Sequence, residues 1–126
     1  MAREVYFSRS NDFSEWHRSL DDRFAGLDID FCETCPVCTE PLVFIETCYD
    51  KNQSFKATTL TEKVASYCGK PAFLVFYTPG VTPGTLKHLR VTKLLPRRSS
   101  EVFMEPLEFS KVLLHYHEQH LCEVPF

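Results

Sequence analysis

Leu27-Asp28-Ile29-Asp30-Phe31 and, after a cysteine-bearing turn, Pro41-Leu42-Val43-Phe44-Ile45-Glu46-Thr47-Cys48 read as two strands that each deliver a carboxylate. Side chains alternate between the faces of a strand, which puts Asp28, Asp30 and Cys32 on one side and Leu27, Ile29 and Phe31 on the other. On the second strand Phe44, Glu46 and Cys48 share a side, opposite Val43, Ile45 and Thr47. Pairing of the two as a hairpin brings Asp30 and Glu46 together at one sheet face, where adjacent carboxylates repel unless a divalent cation neutralises them. Acidic residues at strand ends more often simply face water. Position favours the metal reading, because Glu46 ends an apolar run that reads as a buried central strand, and a lone carboxylate there needs a partner.

Outward from this pair, Ser10 to Leu20 reads as a short helix capped by Asp12 or Ser14, with Phe13, Trp16, His17 and Leu20 on one face. The hairpin tip spans Glu33 to Glu40, where Pro36 and Pro41 interrupt regular pairing. A loop from Tyr49 to Ser54 leads to a helix from Thr58 or Thr59 to Tyr67, with Leu60, Val64, Ala65 and Cys68 facing the core and Gly69 as its stop. Pro71 to Tyr77 is an apolar run that suits a central strand covered on both faces. Strand, helix, strand in that order implies a parallel, right-handed crossover. Thr78 to Gly84 reads as a turn and Leu86 to Leu95 as an antiparallel edge strand. A last helix, Glu105 to His120, places Leu107, Phe109, Val112, Leu113, Tyr116 and His120 near one face.

With 126 residues, 44% hydrophobic and 25% charged, the chain suits a single domain over residues 1–126, with a core over about 10–95 and the last helix at about 105–120. A net charge of −3 gives no global attraction for nucleic acid. The concentration of basic residues at Lys87-His88-Leu89-Arg90, Lys93 and Arg97-Arg98 suits either a phosphate-facing strip or a solvated edge strand and loop. The N-terminus does not resemble a signal peptide and no apolar run reaches the roughly 20 residues that span a membrane, so a cytoplasmic location is expected. In such a reducing compartment the six cysteines are more readily thiols or metal ligands than disulfides.

The order helix, Asp-bearing strand, hairpin, Glu-bearing strand, helix, strand resembles the PD-(D/E)XK nuclease superfamily, the restriction-endonuclease-like fold, over about residues 10–78. It is most similar to small phage-encoded members, in Asp28-Ile29-Asp30-Phe31, the CxxC-bearing turn, Pro41 to Glu46, Lys56-Ala57-Thr58-Thr59 and Pro71 to Pro79. The resemblance implies an α/β (α+β) fold: a mixed central sheet flanked by helices, an αβββαβ core with a cysteine-bearing hairpin, and a C-terminal helix. It also implies an endonuclease that hydrolyses DNA with Mg2+ or Mn2+ held by Asp30, Glu46 and the backbone carbonyl of Thr47, with Glu15 as an auxiliary acid. If phage-encoded, the protein would act in the host cytoplasm, with DNA as substrate and a host protein or a second copy of the chain as further partners. The motif lysine, two residues after Glu46, is replaced by Cys48, and a neutral thiol cannot orient water or stabilise negative charge as that lysine does. The lysines nearby are Lys51, just beyond the strand, and Lys56 and Lys63 at the start of and within the next helix. Lys56 is the first choice for a migrated catalytic lysine and Lys63 the second; an exposed helix lysine is the plainer reading of each.

Cys32-x2-Cys35-x2-Cys38 places three sulfurs at the hairpin tip, as in a zinc knuckle. His115 to Cys122 can supply further ligands, and Cys35, Cys38, His120 and Cys122 would make a Cys3His zinc site pinning the tail to the hairpin. Reduced thiols and a solvated histidine-rich helix end explain the same residues without zinc. Cys32 shares the face of Asp30, and Cys68 reads as a buried core thiol. A zinc deaminase is disfavoured, since the His-x-Glu that must precede its Pro-Cys-x-x-Cys is missing. Two functions therefore stand: a metal-dependent endonuclease, favoured by Asp30 and Glu46, and a catalytically silent member of the same fold that inhibits a host protein or nucleic acid by binding, favoured by Cys48.

Overall fold

In the computed structural model, residues 11–23 and 25–123 are described. Their elements run α1 (Asp12–Arg18), β1 (Phe31–Thr34), β2 (Pro41–Tyr49), α2 (Thr59–Cys68), β3 (Ala72–Pro79), β4 (Leu86–Leu95), β5 (Val102–Met104) and α3 (Pro106–Gln119). The strands form a mixed sheet in the order β1-β2-β3-β4-β5, in which only β2 and β3 are parallel. The fold is thus mixed α and β with helices flanking a central sheet. Among the described residues, two strands rather than the three of an αβββαβ core lie between α1 and α2, and β5 follows β4.

Alternation along β2 divides the core. Val43 and Ile45 join Phe73, Val75, Leu89, Val91 and Phe109 on the α3 side, while Phe44 joins Leu74, Phe76, Leu94 and Ala65 on the α2 side. With a helix on each face, β2 and β3 are buried along nearly their whole length, which is why they read as continuous apolar runs. The helix α2 stops at Gly69, whose φ of 67° is left-handed, and Lys70 N–H returns to the Ala65 carbonyl. At the other end of the chain, α3 starts at Pro106, where Glu108 accepts a hydrogen bond from the Glu105 N–H at 3.0 Å.

Several expectations change. The first strand begins at Phe31 instead of Leu27, because the Thr47 N–H that would extend the ladder donates instead to the Asp30 carboxylate at 2.9 Å. Its end moves as well: Glu33 and Thr34 pair with β2, which confines the tip to residues 35–40. The first helix has Asn11 at its N-cap position, without the side-chain capping hydrogen bond expected of Asp12 or Ser14, and its expected start, Ser10, lies outside the described residues. Phe13 and Trp16 stay 73% and 55% exposed, their rings 5.3 Å apart, so they contact each other without entering the core. Cys68 is exposed, as is Leu107, and β4 is not an edge strand because β5 pairs with it at Leu89 to Val91. Periodicity placed Phe13, Trp16, Cys68 and Leu107 on faces expected to be buried, but what covers a face depends on segments distant in sequence, and these side chains are left exposed.

Candidate functional site

The β1–β2 register pairs Phe31 with Ile45, which sets Asp30 just beyond the ladder and opposite Glu46. Glu46 points to the α2 face and is 5% exposed. From the loop before α2, Lys56 reaches into this corner: its Nζ lies 2.6 Å from Asp30 Oδ2, 3.0 Å from Glu46 Oε2 and 2.5 Å from the Thr47 carbonyl oxygen. Thr61, on the first turn of α2, donates its hydroxyl to Glu46 Oε1. The group lines a cleft of about 310 Å3 together with Leu27, Asp28 and Thr58 to Leu60.

Electrostatics follow from this arrangement. Burial alone would raise the Asp30 carboxyl, but the Lys56 ammonium and the Thr47 N–H outweigh it and hold the group below the ordinary carboxylate value. Burial likewise works to lower Lys56, and Asp30 and Glu46 overcome it and raise the ammonium above its usual value. Two carboxylates and a carbonyl converge on the Lys56 ammonium, whose charge offsets the repulsion between the two acids. The three oxygen ligands that the family resemblance implied are therefore brought together, with the first-choice lysine.

Other expected site residues stand apart. Lys63 is exposed on α2, Lys51 is exposed in the loop, and Glu15 is exposed on α1 and does not line the cleft. Cys48, at the motif-lysine position, accepts a hydrogen bond from Gln53 Nε2 at 3.2 Å. Thr61 escaped the sequence reading because a threonine inside a helix reads as solvent-facing; its signal is the i, i+4 spacing to Ala65 on the buried stripe of α2. Of the expected basic strip, Arg90 is spent within the protein, while Lys87, Arg97 and Arg98 are exposed. Arg90 forks onto Asp50 at 2.9 and 3.0 Å, reaches Glu101 at 3.0 Å and lies 4.5 Å over the Phe76 ring, while Arg98 sits 3.6 Å from Glu62.

A second cluster joins the hairpin tip to the end of α3. Cys35, Cys38, His120 and Cys122 each present a ligand atom, and these atoms all lie within 4.8 Å of one another, so the cluster could hold a metal ion such as zinc. Cys38 Sγ is 3.3 Å from His120 Nε2, and the other ring nitrogen of His120 is 3.1 Å from Glu40 Oε2. The tip is a tight turn in which Thr39 N–H bonds to the Cys35 carbonyl and Thr39 takes a φ of 66°. Its backbone N–H groups at Cys38 and Val37 face the Cys35 sulfur and bring that thiol down to about 6. Cys38 is drawn down by the Glu40 N–H, but burial and the neighbouring Cys35 and Cys122 sulfurs leave it above the ordinary value. Cys32 lies outside the cluster and packs on the α2 side, and His117 bonds Glu33 at 2.7 Å.

Comparison of the chain with protein-family models, curated proteins and solved structures gives no match. Among the described residues no helix is long and apolar enough to cross a membrane.

Proposed function

We propose that the chain is a metal-dependent endodeoxyribonuclease of the PD-(D/E)XK type, with Asp30, Glu46 and the Thr47 carbonyl as its cation ligands and Lys56 in place of the motif lysine. The observation that supports it is the convergence of all three oxygen ligands on Lys56 Nζ at 2.5 to 3.0 Å. Each part has a role in the hydrolysis of a phosphodiester, in which water forms a bond to phosphorus, the bond to the leaving oxygen breaks, and that oxygen takes up a proton. A bound Mg2+ or Mn2+ would supply an acidified water and neutralise charge on the phosphate oxygens. Glu46, fixed by Thr61, and Asp30, fixed by the Thr47 N–H, hold their oxygens in place before substrate arrives, which reduces reorganisation at the moment of reaction. Lys56 keeps a positive charge at the cleft, where negative charge on the phosphate builds up.

Lys56 also favours a second reading, because its ammonium already satisfies the three oxygens that a metal would need. A chain in which it never yields that place is a silent nuclease fold that binds a host protein or nucleic acid and blocks it. Incubation with supercoiled, linear and single-stranded DNA in Mg2+ or Mn2+ separates the two. The nuclease predicts cleavage by the parent, reduced by at least about 10²-fold in Lys56→Ala and in Asp30→Asn/Glu46→Gln. Equal silence from parent and variants, in protein whose metal binding has been measured, sinks the nuclease and leaves the blocking role.

A further inference from the structure

We infer that Cys35, Cys38, His120 and Cys122 bind a structural zinc ion that staples the C-terminal segment to the β1–β2 turn, with Glu40 as the carboxylate that sets the tautomer of His120. Zinc bound to three sulfurs and a nitrogen at about 2.0–2.3 Å needs ligand atoms about 3.5–4 Å apart. The four atoms here lie within 4.8 Å of one another and Cys38 Sγ is 3.3 Å from His120 Nε2, so closure onto an ion requires only small side-chain adjustments. Thiolates and imidazole suit zinc, and four protein ligands leave no open position, which marks the site as structural.

Glu40 is an independent pointer. Its carboxylate meets His120 Nδ1 at 3.1 Å, which assigns the proton to that nitrogen and leaves Nε2, the atom facing Cys38, free to coordinate. Histidine ligands of zinc usually carry such an outer partner, which orients the ring and raises its basicity.

The fold also has a use for the staple. Phe109, near the start of α3, is its only buried residue, while Leu114 and, just past the helix, Leu121 are exposed. On the hairpin side, β1 has four residues, none fully buried, and carries Asp30 immediately before it. Between these segments Cys35 is buried while Cys38, Val112, Leu113, Tyr116 and Cys122 pack on the core only half-buried, and the cluster joins them across 82 residues of sequence. Because an assembled site exists only in the folded chain, zinc binding stabilises that chain directly.

The test uses the full chain, reduced and stripped, then reloaded with zinc or cobalt(II) and freed of excess metal. About one zinc per chain is expected, with a cobalt spectrum showing tetrahedral d–d bands and thiolate charge transfer. Cys38→Ser and Cys122→Ser are expected to lose the metal or the charge-transfer intensity. Glu40→Gln, which leaves the Glu40 backbone N–H on Cys38 in place and does not depend on those variants folding, is expected to weaken zinc binding about 10–100-fold. Glu46→Gln is expected to retain zinc in full, which separates this site from the carboxylate cleft. A reduced parent that retains no zinc, an octahedral cobalt spectrum, or undiminished zinc with undiminished cobalt charge transfer in Cys38→Ser would overturn the assignment.

Discussion

Thr61 shows how a single hydroxyl supports the cleft. It is 1% exposed and donates a hydrogen bond to one oxygen of the buried Glu46, while the Lys56 ammonium meets the other. Thr61→Val keeps the shape and removes the donor, leaving a buried carboxylate oxygen without a partner, so a loss of about 1–3 kcal/mol is expected in urea unfolding. Thr61→Ser should recover most of it; equal losses in both variants would show that packing of the threonine methyl, and not the hydrogen bond, matters. Lys56 and Asp30 were expected as site residues from the sequence, because both lie in segments whose pattern resembles a nuclease. Their meeting point was not legible, since Lys56 is separated from Asp30 by a hairpin and a loop whose paths no local pattern specifies.

At the scale of elements, the end of α2 was fully legible. A glycine directly after an apolar stripe reads as a helix stop, and Gly69 adopts the left-handed conformation that such a stop requires. A methyl added there would meet no atom within 4 Å, so Gly69→Ala tests backbone strain alone. A destabilisation of roughly 1 kcal/mol is expected in the denaturant midpoint, with a smaller one for Gly69→Asn. No change in either variant would mean that the helix end readjusts. The first strand was less legible, because Asp30 fits the alternation of a strand yet its side chain takes the Thr47 N–H that a ladder would use.

For the molecule as a whole, the Asp50–Arg90 pair links the loop after β2 to the fourth strand and sets part of the acid response. The Arg90 guanidinium, with help from the Asn52 N–H, holds the Asp50 carboxyl below its ordinary value. A carboxylate lowered in the folded state stabilises it above the unfolded pKa, and that contribution fades as pH falls through the folded value. Thermal melts from about pH 7 to about pH 3 should therefore show a steeper acid-side loss in the parent than in Asp50→Asn, which begins less stable at neutral pH. Parallel curves would refute this linkage. Composition, periodicity and cysteine spacing alone pointed to a mixed α and β class, the two buried parallel strands, the approximate ends of α2 and α3, and the cysteines and histidine able to hold a metal, because those properties reside in residue type and local spacing. Lys56 was already the first choice and the Cys35, Cys38, His120 and Cys122 set already named, but three-dimensional packing was needed to bring each group together, to turn Arg90 inward and to leave the aromatic face of α1 exposed. Each of these depends on distances between segments far apart in the chain, and a sequence pattern records which way a side chain faces but not what meets it there.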